Sequence, residues 1–214
     1  YDESRLRMLR VPYVISGSGK TVPEDTGTYP KSALVTTDTE IESQSMVDYL
    51  CSCGHKRIAF ITSGDEGLGR CHLNGYKRSL EKNGLEYDEK LIIRLKPGKR
   101  IYTIENGYNC TCELLKSGVD FSCIYAISDT LAVGACRAII DSGKRVPEDY
   151  CVAGADGQDI AEYYHPSITT LKYPRVEIAL QSVRTLFDLI NRKKVVKRQI
   201  LGGTLIERES TRKL

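Results

Sequence analysis

From Arg57 onward, short apolar runs rich in β-formers alternate with stretches of helical period, and this alternation leaves few folds open. The spacing predicts strands over 57–62, 91–95, 123–127 and 150–155. Between them it predicts helices over 66–83, 101–117 and 130–142, ending at Gly84, Gly118 and Gly143, a residue that commonly stops a helix. Each strand-plus-helix unit takes roughly 30 residues, the span of one right-handed crossover. Such units build a parallel sheet with helices on both faces, an α/β doubly wound architecture.

The flanks extend the pattern. A helix ending over 5–10 leads into a strand over 11–16, an exposed loop over 17–32 and a short strand over 34–37. Asp38 or Thr39 can cap a helix running to Cys53. After the strand over 150–155 come a linker and short strand over 165–171 and a helix over 174–191. Val176, Ala179, Leu180, Val183, Leu186, Phe187 and Ile190 give that helix an apolar stripe of 3.6-residue period. Lys193, Lys194, Lys197 and Arg198 follow as a solvated basic loop, then a strand over 199–206 and a polar tail over 207–214.

The stretch Arg145-Val146-Pro147-Glu148-Asp149-Tyr150 reads as a loop running into a buried strand, and Asp156 stands at that strand's carboxyl end. Open α/β sheets bind ligands in the crevice beyond the carboxyl ends of their strands. A carboxylate there accepts hydrogen bonds from hydroxyls or amines. The same residue can instead cap a turn with Gly157.

Other chemistries find little support. A formal net charge of +3 demands neither nucleic acid nor membrane. No apolar run approaches the roughly 20 residues of a membrane helix, and the opening residues Tyr1-Asp2-Glu3 carry no signal-peptide pattern. Most of the eight cysteines sit inside apolar patterns, as buried free thiols do, and a reducing cytoplasm is the expected setting. The Cys51-Ser52-Cys53-Gly54-His55 run lacks a second pair of ligands, so no metal is expected. Ser16-Gly17-Ser18-Gly19-Lys20-Thr21 imitates a phosphate loop, but Val14 stands where its first glycine belongs. Gly64-Asp65-Glu66-Gly67-Leu68-Gly69 opens a helix after a strand, yet the next strand ends at Lys96, where a dinucleotide site favours an acid. His55, His72 and His165 lie in separate segments, so no catalytic set forms and neither an enzyme nor a cofactor is expected.

Six motifs occur in register: Gly54-His55-Lys56-Arg57-Ile58-Ala59-Phe60; Asn74-Gly75-Tyr76; Ser128-Asp129 before an Ala/Gly-rich helix; Val146-Pro147-Glu148-Asp149 leading to Gly154-x-Asp156; Pro166-Ser167-Ile168-Thr169-Thr170; and Leu205-Ile206-Glu207-Arg208-Glu209-Ser210-Thr211. Together they resemble the effector-binding domain of the LacI/GalR family of transcriptional regulators, which shares the fold of periplasmic sugar-binding proteins. The ending Ser210-Thr211-Arg212-Lys213-Leu214 is also similar to the arabinose-responsive branch.

The resemblance implies two α/β lobes with a small sugar-like effector in the cleft between them. Residues 1–37 and 172–206 would form an N-terminal lobe, partial here because the family has about two more βα units before it. Residues 38–171 would form the C-terminal lobe, with 207–214 as a tail. The implied partners are the effector and a second copy in a homodimer. DNA would be reached only through an N-terminal domain outside this chain, since no recognition helix is present. The effector contacts implied are Asp156, Ser128, His72, Arg70, Tyr173 and Ser16. Family members use Arg where this chain has His72 and Asn where it has Ser128, so the hydrogen-bonding pattern is expected to differ. His72 could be neutral or charged near pH 7, and Asp129 is expected to cap the helix it begins. The same fold also serves as a solute sensor of receptors and kinases, which is the alternative reading.

Overall fold

The computed structural model describes residues 11–17, 31–96, 98 and 100–214. The expected helix end over 5–10, and the phosphate-loop imitation beyond Gly17, lie outside the described residues. The chain divides into two compact units, one holding the residues up to Asp38 with Pro174–Gly203, the other Thr39–Tyr173 with Thr204–Leu214.

In the first unit, β1 (Tyr13–Ser16), β2 (Ser32–Thr36) and β8 (Arg198–Ile200) form a parallel sheet with β2 in the middle. The central strand is buried along its whole length. Helix α6 (Arg175–Ile190) packs on β1 and β2 and buries Ile178, Thr185 and Leu189. The apolar stripe of the sequence is not the face it buries: Val176, Leu180, Val183, Phe187 and Ile190 are exposed.

The second unit has a six-stranded sheet in the order β4-β3-β5-β6-β7-β9. Its strands are β3 (Ile58–Thr62), β4 (Ile92–Arg94), β5 (Cys123–Ala126), β6 (Cys151–Asp156), β7 (Thr169–Lys172) and β9 (Thr204–Ile206). All neighbours pair parallel except β7 with β9. Helices α1 (Thr39–Ser52) and α2 (Gly67–Lys82) pack as one pair, α3 (Ile104–Lys116) and α4 (Asp129–Asp141) as another; the short α5 is Asp159–Tyr163. Because the chain steps from β3 to β4 and then back past β3 to β5, right-handed crossovers put the two helix pairs on opposite faces.

Glycines set how closely the helices approach. A Cβ on Gly75 would stand 2.2 Å from the Glu40 carbonyl oxygen, and one on Gly134 would stand 2.1 Å from that of Ile104. Within the Asn74-Gly75-Tyr76 motif, then, glycine admits α1, while Tyr76 stacks on Phe60 at 4.9 Å and donates to the Ile58 carbonyl at 2.8 Å. Tyr125 stacks on the same Phe60 at 5.1 Å.

Where one strand is expected over 199–206, there are two, in different units. Gly202 and Gly203 separate them, and glycine favours neither strand. The tail is anchored rather than loose. Ser210 donates from its hydroxyl to the Val152 carbonyl at 2.6 Å and accepts from the Thr169 amide at 2.9 Å. The Leu214 amide reaches the Cys53 carbonyl at 2.8 Å.

Candidate functional site

The step from β3 to its two neighbours makes the carboxyl edge of the second sheet a topological switch point, where doubly wound folds place ligands. Besides the segments after β4 and β7, three leave that edge: the turn after β3, the N-terminus of α4 after β5, and the turn after β6.

The last of these is the most tightly built. Asp156 ends β6 with φ 103°, a region that non-glycine residues rarely enter and that Asp tolerates better than most. Gly157 follows at φ 65°, and a Cβ there would meet the Lys172 side chain at 2.6 Å. The Gly157 amide donates to Thr170 Oγ1 at 3.3 Å. The Gln158 amide donates to Asp129 Oδ2 at 2.6 Å, and its side-chain nitrogen Nε2 donates to Asp156 Oδ2 at 3.0 Å. From β7, Thr170 Oγ1 donates to Asp129 Oδ1 at 2.6 Å. The Tyr173 amide, just past β7, donates to the Asp156 carbonyl at 3.2 Å. Gly154 has a local reason too, since a Cβ there would fall 2.4 Å from Asp129 Oδ1.

Asp129 is therefore not the cap of α4. Ser128 is the cap: its hydroxyl accepts from the Leu131 amide at 3.4 Å, while the Asp129 side chain turns to the β6 and β7 ends. Burial pushes the Asp129 carboxyl up to about 6, against the hydrogen bonds from Thr170 and Gln158 that favour its charged form. Burial likewise raises the Tyr125 hydroxyl, and the carboxylates of Glu42, Asp156 and Asp129 raise it further.

The six expected contacts divide. Asp156, Ser128 and Tyr173 lie on segments leaving the carboxyl edge of the second sheet. Ser128 is buried, and its hydroxyl also meets Thr130 Oγ1 at 3.0 Å. His72 lies on α2, whose backbone carbonyl there accepts from Ser43 at 2.7 Å. Burial pushes His72 down to about 4, so the imidazole is neutral near pH 7, and its Nδ1 has no hydrogen-bond partner among the described residues. Arg70 is exposed and donates from Nε to the Asp65 carbonyl of its own turn at 2.8 Å. Ser16 ends β1 in the first unit, where it is exposed.

Asp129, Gln158 and Thr170 were absent from the expected set. The signal for Asp129 and Thr170 was present in Ser128-Asp129 and Thr169-Thr170, whereas Gln158 belongs to no motif. What could not be read was the direction of the Asp129 side chain.

Residues 47–211 match the model of the periplasmic binding protein-like domain. The chain belongs to that family. Within it the chain stands with the effector-binding domains of LacI/GalR-type regulators. It is 41% identical over 146 residues to the HTH-type transcriptional regulator MalR of Clostridium butyricum, covering 68% of this chain and 42% of that protein. The structure of the transcriptional regulator CelR in complex with cellobiose aligns with a TM-score of 0.78 at 32% identity, over 94% of this chain and 59% of the other. The Escherichia coli repressor AscG aligns with a TM-score of 0.83 at 26% identity, over 98% of this chain and 73% of the other. The chain spans about half the length of the curated relatives it matches. No helix among the described residues is long and apolar enough to cross a membrane.

Proposed function

We propose that this chain is the effector-sensing and dimerisation domain of a bacterial LacI-type transcriptional regulator, and that its effector is a small sugar-like molecule. The observation that carries the reading is Asp156. It sits at the carboxyl edge of a doubly wound sheet, in a backbone conformation few residues tolerate, within a turn fixed by Asp129, Gln158 and Thr170. Backbone strain held in this way clusters at ligand sites. A carboxylate so placed accepts hydrogen bonds from adjacent sugar hydroxyls. The CelR relative binds cellobiose, which supports a saccharide for this chain.

Ser128 and Tyr173 serve as neighbouring contacts in this reading. His72 replaces a charged guanidinium with a neutral ring, which suits an uncharged effector better than a sugar phosphate. Ser16, Arg70 and the arabinose-like branch rest on the family resemblance alone. The assignment of 1–37 and 172–206 to one lobe and 38–171 to the other is supported by the two compact units, except that Thr204–Ile206 go with the second. In the whole protein the effector shifts the regulator between states only by its differential affinity for them, and a homodimer passes that shift to DNA-binding domains. Eight free thiols favour a reducing, cytoplasmic setting.

Thermal unfolding against maltose, cellobiose, ribose and arabinose tests the reading. A ligand at 100 times its dissociation constant adds about 2.7 kcal/mol of stability. The expected result is a selective shift that disappears in Asp156→Ala. A shift that survives that substitution unchanged would remove Asp156 from the site.

A further inference from the structure

We propose that Asp129 is a positioning residue, whose carboxylate clamps the turn over 156–158 to β7 and thereby sets how Asp156 meets the effector. The proposal deepens the reading of Asp156 as an effector contact and rests on it. Asp129 is fully buried, and both its oxygens are engaged: Oδ1 by the Thr170 hydroxyl, Oδ2 by the Gln158 amide. Those two bonds join the first turn of α4, the turn after β6, and β7. Gln158, whose backbone Asp129 holds, in turn donates from its side chain to Asp156 Oδ2. Thr170, the other partner, also accepts from the Gly157 amide. The three hydrogen bonds that residues 157 and 158 donate here thus end on Thr170, on Asp129 and on Asp156 itself. A helix-capping role does not account for Asp129, because Ser128 performs it.

The clamp is responsive to pH. A carboxylate accepts at both oxygens, whereas a carboxylic acid presents a proton at one of them. The Thr170 hydroxyl can turn to accept such a proton, but the Gln158 amide only donates and loses its partner when the proton sits on Oδ2. The titratable groups facing Asp129 are Asp156 at the end of β6, Arg208 after β9, and Tyr125 on β5, which itself faces Glu42 of α1; Lys172 ends β7 beside Gly157. Burial outweighs the favourable bonds and moves the carboxyl to about 6. The clamp is therefore intact above that pH and weakens at the Gln158 amide as pH falls through it. If only the clamped form binds, the apparent affinity scales with its fraction, so one pH unit below the midpoint weakens binding roughly ten-fold.

The test has a readout without effector and one with it. By NMR on the free chain, the Gly157 and Gln158 amide shifts should follow the Asp129 carboxyl carbon with one midpoint, and lose that step in Asp129→Asn. Thr170→Val, which removes one bond favouring the charged form, should move the midpoint upward and serves if the first variant does not fold. Calorimetry with cellobiose and with maltose should show affinity falling about ten-fold per pH unit below the midpoint in the unmodified chain and no such dependence in Asp129→Asn. Amides that stay silent while the carboxyl titrates overturn the clamp. So does unchanged binding and pH profile in Asp129→Asn when Asp156→Asn has lost binding. If neither substitution alters binding, or neither sugar binds, it is the reading of Asp156 or the choice of sugar that fails, and the amide titration alone decides the clamp.

Discussion

Helix α4 of the second unit and helix α6 of the first carry comparable apolar periods, and the two units use them in opposite ways. Helix α4 buries Leu131, Ala132, Val133, Ala135, Cys136, Ala138 and Ile139 between the sheet and α3. Helix α6 leaves Val176, Leu180, Val183, Phe187 and Ile190 more than half exposed and covers its sheet with Ile178, Thr185 and Leu189. A 3.6-residue period establishes that a helix has an apolar face. It says nothing about what covers that face, because the cover is supplied by elements distant in sequence. In the second unit the cover is visible: a six-stranded sheet with helix pairs on both sides.

The contrast is broken or sharpened first at the aromatic stack. Phe60 is fully buried and packs against both Tyr76 and Tyr125. Phe60→Ala should cost about 3–5 kcal/mol, measured by urea unfolding. A loss below about 1 kcal/mol would mean that the second unit's core is far less consolidated than its packing implies.

A smaller effect concerns a half-buried polar group of the same unit, whose ring Nδ1 is enclosed. His72 titrates near 4 in the folded chain and near 6.5 when unfolded. Between those values the unfolded state binds the proton and the folded state does not, so stability is complete above about 6.5 and is lost as pH falls towards 4. The linkage is on the order of 3 kcal/mol. Asp129 works the other way: its folded value is raised from 3.8 to about 6, so it favours the folded state as pH falls through the same window. Subtracting the pH–stability profile of His72→Gln from that of the unmodified chain isolates the histidine. The difference should rise by up to about 3 kcal/mol from pH 4 to 7; a flat difference would place His72 in water.

Much of the second unit was legible. Its strands are apolar runs and its helices end at Gly84, Gly118 and Gly143, each at positive φ, so local chemistry marks the boundaries. The position of Asp156 at a strand end was legible for the same reason. The clamp behind it was not, because whether Ser128 or Asp129 caps α4 depends on Thr170, some 40 residues away, being there to receive the carboxylate. Ser210 and Thr211 read as polar tail residues, yet they are buried against β6 and β7, with Thr211 Oγ1 2.6 Å from Thr169 Oγ1. Small hydroxyl residues leave no apolar signal when their burial is compensated by hydrogen bonds. The 199–206 segment was misread because β-propensity marks residues that suit a strand and is blind to which sheet receives them.

The smallest expected effect lies on α6. Phe187 is 61% exposed, and its truncation removes apolar surface that this chain leaves largely in water. Phe187→Ala should therefore change unfolding stability by no more than about 0.5 kcal/mol, the range for surface substitutions away from special features. The comparison with Phe60 makes the result informative, since the same chemical change is made in both places. If Phe187→Ala instead costs several kcal/mol, and the cost depends on protein concentration, the stripe is buried in solution by association, because only an intermolecular contact makes stability scale with concentration. If the cost is large and independent of concentration, the stripe is covered within the chain. An effect within about 0.5 kcal/mol leaves the stripe as exposed surface, and the period of α6 then reports a face that this chain does not use for its own folding.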